Sequence, residues 1–117
     1  MLWPCRYIPP FLDRSKGLYG NQILHERQVF NQLNVTADSH MLDIGCGSGR
    51  VAHHAATFTG GRVSGFNIVE SDIDNAILYA NETGMDQRLD FKVGDHHKPF
   101  QYPDETFDAS YSFEAVW

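Results

Sequence analysis

The chain has 117 residues, with 15 Asp and Glu against 9 Lys and Arg, a formal charge of -6 and a pI near 5.3. Its 42% hydrophobic and 13% aromatic content is that of one folded domain with a modest core, which excludes a disordered chain. Lys and Arg are scattered rather than run together, which excludes a dedicated nucleic-acid surface, and no apolar stretch is long enough to span a bilayer.

Residues 1–20 hold Pro4, Pro9, Pro10, Gly17 and Gly20 without a sustained period. They read as an irregular lead-in with a short helix near 10–15, and make a poor signal peptide. Residues 21–117 carry the domain. A helix is expected over 21–33, where Ile23, Leu24, Val29, Phe30 and Leu33 share one broad face, ending near Asn34. Residues 40–44 read as a short buried strand running straight into glycines. A second helix over 49–58 turns Val51, Ala55 and Phe58 inward and stops at Gly60 and Gly61. Residues 62–67 form the next strand.

A third helix over 71–83 has Ser71 as its N-cap, Ile73, Ile77, Leu78 and Ala80 as its apolar face, and Gly84 at its end. Asp72, Asp74, Glu82 and Asp86 read as solvated surface. Residues 89–93 alternate as a strand, 103–106 form a turn, and 107–113 alternate as a fourth strand. This succession predicts an α/β fold, a parallel sheet with crossover helices.

The residues with chemistry cluster at strand ends. Leu42-Asp43-Ile44-Gly45-Cys46-Gly47-Ser48-Gly49 places a glycine-rich turn between a strand and a helix. Such a turn brings backbone close to a ligand and aims helix N-terminal amides at it. A dinucleotide loop wants G-x-G-x-x-G, but here Arg50 stands at the sixth position. The alternative without a ligand is a plain tight turn. The second strand ends at Asn67, whose amide can hydrogen-bond ribose hydroxyls, and the third ends in Val93-Gly94-Asp95, whose carboxylate can accept from an adenine amine. An Asp in such a loop is equally able to cap a turn. Together the three lie at the carboxyl ends of successive strands, where open α/β sheets bind ligands.

From MLDIGCGSGR, FTGGRVSGFNIVESDIDNA, FKVGDHHKPF and YPDETFDASYSFEAVW, residues 41–117 resemble the class I S-adenosylmethionine-dependent methyltransferase superfamily. Within it they are most similar to the sterol C-24 methyltransferase group. The Phe58-Thr59-Gly60 lead-in, Gly65-Phe66-Asn67, the His25-Glu26 pair and Phe113-Glu114-Ala115 carry the finer likeness. The resemblance implies a Rossmann-like fold, represented by about four mainly parallel strands of its N-terminal half with flanking helices. It implies S-adenosylmethionine as cofactor, with Asp43, Gly45, Cys46, Gly47 and Gly49 around its methionine end. Asn67 and Ile68 would lie at the ribose and adenine, Asp95 and His96 beside the adenine ring, and Glu114 would face the reaction cleft as a catalytic group. It further implies a small-molecule or lipid acceptor, a sterol among the candidates.

The group's aromatic, glycine-rich segment ahead of the first strand is matched only by Gly17-Leu18-Tyr19-Gly20. The family fold also continues beyond a fourth strand, so the chain reads as a fragment or degenerate copy with an uncovered sheet inclined to self-associate. Two rival readings follow: a non-catalytic cofactor-binding or interaction module, and a nicotinamide oxidoreductase that Arg50 disfavours. His53-His54 and His96-His97 lack ligand spacing, so no metal is expected. Cys5 and Cys46 are far apart, a disulfide at Cys46 would compete with the loop's role, and a reducing, cytoplasmic setting follows, membrane-associated if the acceptor is a sterol.

Overall fold

A computed structural model describes residues 7–95 and 106–113. Strands β1 (His40–Ile44), β2 (Arg62–Asn67), β3 (Leu89–Val93) and β4 (Ala109–Tyr111) form one sheet in the order β3-β2-β1-β4. Every pairing is parallel, with Leu42 opposite Ser64 and Ser110, and Gly65 opposite Phe91. Strands β1, β2 and β3 span the residues expected of them. β4 is shorter than the alternating segment 107–113, because its register with β1 extends over three pairs, Met41 to Asp43 against Ala109 to Tyr111.

Helices α1 (Gly17–Gln32), α2 (Arg50–Thr59) and α3 (Glu70–Glu82) complete the fold, preceded by a 3-10 turn at Arg14–Lys16. Successive strand residues face opposite sides. Met41, Val63, Leu89, Phe91 and Tyr111 therefore share the face that packs on Phe30 of α1, the α2 stripe Val51, Ala52, Ala55 and Ala56, and Ile73, Ala76 and Ala80 of α3. The opposite face carries a polar relay. His40 Nε2 lies 2.7 Å from Ser64 Oγ, and the Ser64 hydroxyl donates to Asp90.

The helices depart from expectation in instructive ways. α1 begins at Gly17 rather than at 21, and its buried face is Asn21, Gln22, Glu26 and Phe30, while Ile23, Leu24, Val29 and Leu33 are half-buried. The buried amides serve the lead-in. Asn21 accepts from the Asp13 backbone N–H and donates to the Asp13 carbonyl, and Gln22 Nε2 donates to the Tyr7 carbonyl at 2.9 Å. Buried backbone polar groups need such partners, and α1 supplies them.

In α2, Phe58 is exposed rather than inward, and the guanidinium of Arg27 sits 5.4 Å from its ring. α3 starts at Glu70 after Val69, so Ser71 is not its cap, and Ile77 and Leu78 face solvent. The glycine turn selects Ala76 on the buried side instead, because α3 comes close to it. A Cβ at Gly49 would lie 2.9 Å from the Ala76 Cβ, too near for a larger side chain there.

Candidate functional site

The glycine turn follows β1 directly. Gly45, Gly47 and Gly49 all have positive φ, at 70°, 55° and 87°, a region that L side chains rarely adopt. Two backbone donors, Gly45 N–H and Cys46 N–H, share the Phe66 carbonyl at 3.0 Å each, which pins the start of the turn to the end of β2. Gly49 N–H returns to the Cys46 carbonyl, and Gly49 in its left-handed conformation starts α2. Two glycines make room for this descent. A Cβ at Gly65 would come within 3.0 Å of Cys46 and Phe91 atoms, and one at Gly49 would meet Ala76 and Phe91. Cys46 is a buried thiol wedged on Gly65 with its Sγ 3.6 Å from the Gly47 carbonyl, which fits a packing role and not that of a nucleophile.

The strand ends meet the turn. Asn67 and Val93 are register partners, and Gly94 N–H donates to the Asn67 carbonyl at 3.0 Å, so Asp95 emerges beside Asn67. Ile68 is 65% exposed immediately after Asn67, with Val69 and Val93 also exposed, giving this end of the sheet an apolar rim. Asp72, expected as solvated surface, is instead half-buried and joins two parts of the site. Its carboxylate accepts from Asn67 Nδ2 at 3.1 Å and from Ser48 Oγ at 3.4 Å.

Asp43 sits inside the sheet, 2% exposed. The phenol of Tyr111 on β4 is pushed well above the ordinary tyrosine range, by burial first and then by the neighbouring Asp43 carboxylate. The structure thus brings together Asp43, Gly45, Cys46, Gly47, Gly49, Asn67, Ile68 and Asp95 at one end of β1, β2 and β3. His96 and Glu114 lie outside the described residues.

Behind the turn stands an ion cluster that the sequence did not announce. Glu26 of α1 is fully buried, and its carboxylate accepts from both terminal nitrogens of Arg50, one at 3.1 Å and the other at 2.5 Å, and lies 2.7 Å from His54 Nδ1. The Tyr7 hydroxyl donates to it as well. Burial pushes the Glu26 carboxyl upward, but the bonds from His54, Arg50 and Tyr7 outweigh it and hold it below the usual value. Arg50, the first residue of α2, thereby clamps the helix after the glycine turn to α1, and its guanidinium also lies 5.4 Å from the Tyr19 ring. Arg50 at the sixth loop position was legible only as a missing glycine.

Tyr7, His25, Phe30, Tyr111 and Phe113 form a ring cluster where α1 meets the end of β4, with His25 set edge-on to Phe113 at 5.5 Å. Among the described residues no group of three or more His, Cys, Asp or Glu could hold a metal ion, and no helix is long and apolar enough to cross a membrane.

Comparison with known proteins agrees with this architecture. A family model described as a methyltransferase domain matches residues 36–116. A sterol 24-C-methyltransferase of Neurospora crassa is 35% identical over 112 residues, covering 96% of this chain and 28% of its own. One from Gibberella zeae is 36% identical over the same share of this chain and 28% of its own. The chain thus spans less than a third of the length of these curated relatives. Among solved structures, a geranyl diphosphate methyltransferase in complex with SAM superposes with a TM-score of 0.81 at 19% identity, over 96% of this chain and 51% of that one. The [4+2]-cyclase SpnF superposes with a TM-score of 0.81 at 23% identity, over 92% of this chain and 39% of that one. At these identities the superpositions show the fold alone, a Rossmann-like parallel sheet with flanking helices, and this chain spans 51% and 39% of the two neighbours' lengths.

Proposed function

Because the chain belongs to the methyltransferase-domain family, we propose that its glycine turn and the ends of β2 and β3 bind S-adenosylmethionine, as the cofactor side of a small-molecule or lipid methyltransferase. The observation that carries this reading is the convergence of three features at adjacent strand ends: the positive-φ turn at Gly45, Gly47 and Gly49, the Asn67 amide, and Asp95 beside it. The donor set suits the cofactor. Asn67 offers an amide to ribose hydroxyls, Asp95 a carboxylate to an exocyclic amine, and Ile68 an exposed apolar surface to a flat ring. When bound, S-adenosylmethionine supplies an electrophilic methyl group on sulfur. The chain's own part is to hold the cofactor's two ends and keep the turn rigid, through the Phe66 carbonyl below and the Glu26–Arg50 clamp behind.

A lipid acceptor, of the sterol kind named for the Neurospora and Gibberella relatives, fits the aromatic cluster of Tyr7, His25 and Phe113, in which the faces of the Tyr7 and Phe113 rings favour developing positive charge. Glu114, following that cluster in sequence, would take the proton in such a transfer. The cytoplasm, with attachment to a membrane surface where the acceptor lies, is the setting proposed with it. The exposed edge of β4 in the described sheet is the proposed site of self-association.

Calorimetry on the whole chain tests the cofactor reading. S-adenosylmethionine and S-adenosylhomocysteine are expected to bind saturably at one site, and Gly47→Val to abolish both while leaving the fold intact by circular dichroism. Saturable binding of NAD, with no heat from either methionine-derived ligand, would overturn it.

A further inference from the structure

Asp72 lies in the first turn of α3, where a carboxylate ordinarily serves only the helix start. Here it does more. Its Oδ2 accepts from Asn67 Nδ2 at 3.1 Å, and its Oδ1 accepts from Ser48 Oγ at 3.4 Å, so one side chain spans the end of β2 and the glycine turn. A carboxylate only accepts, so the nitrogen of the Asn67 amide must face Asp72 and its Oδ1 faces away. Asn67 is thereby turned into an acceptor with a set direction. Without Asp72 the amide is free to rotate and present either end.

We infer that Asp72 is a positioning residue of the ribose subsite: it holds Asn67 so that Oδ1 accepts from a ribose hydroxyl, and through Ser48 it ties that acceptor to the glycine turn. The inference rests on the proposed cofactor reading and deepens it. It also accounts for the use of Asn rather than an acid at the end of β2. With Asp72 already beside it, a second carboxylate at 67 would place two like charges within hydrogen-bond distance, and one would have to take up a proton or move away. The pair therefore works as amide plus acid, and the two are interchangeable in principle. Aspartate at 67 with asparagine at 72 restores a donor facing an acceptor and leaves an oxygen directed at the ribose.

That interchange is the test. S-adenosylhomocysteine is titrated calorimetrically into the whole chain and into Asp72→Ala, Asn67→Asp and the double variant Asn67→Asp with Asp72→Asn, each checked for cooperative thermal unfolding. The side-chain amide resonances of Asn67 are followed by NMR without ligand. Asp72→Ala is expected to weaken binding about five- to tenfold, the worth of one oriented hydrogen bond, and to move the Asn67 amide resonances of the free chain. Asn67→Asp alone is expected to weaken binding at least as much, and the double variant to return within about threefold of the unmodified chain. A carboxylate that acts only on the helix start predicts no such recovery, since the double variant has none at 72. Binding to the unmodified chain that Asp72→Ala leaves unaltered, or a double variant no tighter than Asn67→Asp, overturns the role of Asp72 alone. No binding to the unmodified chain overturns the cofactor reading and this role with it, whereas unshifted Asn67 resonances in Asp72→Ala overturn the positioning without reference to any ligand.

Discussion

Replacing Glu26 by Gln keeps the shape of the side chain and removes the charge that three others share. Arg50, with a side chain only 10% exposed, is then left as a cation whose counter-charge is gone, and His54 and Tyr7 lose their carboxylate acceptor. Breaking a buried ion pair by removing one partner costs about 3–5 kcal/mol. Arg50 retains the Tyr19 ring and a narrow edge to water, which places the loss near the lower end, about 3 kcal/mol. Against a total stability of about 5–15 kcal/mol for a domain, urea unfolding at neutral pH resolves this as a lowered midpoint at unchanged slope. Replacing Glu26 and Arg50 together by Met removes both charges while filling the space, and is expected to recover more than half of the loss. A loss under about 1 kcal/mol in Glu26→Gln, or a double variant no more stable than the single one, would refute the view that this cluster is a desolvated clamp.

Gly49→Ala meets both a φ of 87° and a contact of 2.9 Å with Ala76 Cβ; a loss of about 2–4 kcal/mol is expected in chemical unfolding, and an unchanged midpoint would contradict it. Gly65→Ala pushes on Cys46 and Phe91, so it is expected to cost about 1–3 kcal/mol and to weaken cofactor binding through the displaced turn, read from the same unfolding and titration experiments. Acid sensitivity follows from three depressed groups. His40 and His53 are held below their usual 6.5, chiefly by burial, and Glu26 below its usual 4.5. A depressed group contributes stability that is complete above its unfolded value and is lost as pH falls through the folded one. The unfolding midpoint is therefore expected to fall gently below about pH 6.5 and steeply below about pH 4.5, and Glu26→Gln to blunt the second phase.

Much of the sheet is legible in the sequence. β1, β2 and β3 are short segments bounded by glycines or turns, β3 with clear apolar/polar alternation, and their limits follow from period and punctuation. β4 was overdrawn because alternation continues through Phe107 and Phe113, while ladder length depends on β1, which contributes only Met41 to Asp43. The buried polar face of α1 was illegible for a related reason. Asn21, Gln22 and Glu26 are solvated residues by type, and they become core only because Asp13, Tyr7, Arg50 and His54 arrive from elsewhere in the chain. On α3 the broad apolar stripe admitted Ile77 and Leu78. Contact with Gly49 decides for Ala76, and that contact is a property of the βα turn rather than of the helix.

The glycine turn, Asn67 and Asp95 were legible because each sits where a strand ends. Asp72 was not, since charge on a helix usually means solvent, and its partner Ser48 lies 24 residues away. The available signal was its position five residues after Asn67, across the turn from strand to helix.

The central claim is that three strand ends form one ligand site, and backbone amide NMR during titration with S-adenosylhomocysteine tests it most directly. The account predicts that shifts gather at Gly45 to Gly49, at Asn67 and Ile68, and at Gly94 and Asp95, all saturating with one affinity. Shifts confined to a single one of these segments, or centred on another face of the sheet, would contradict it.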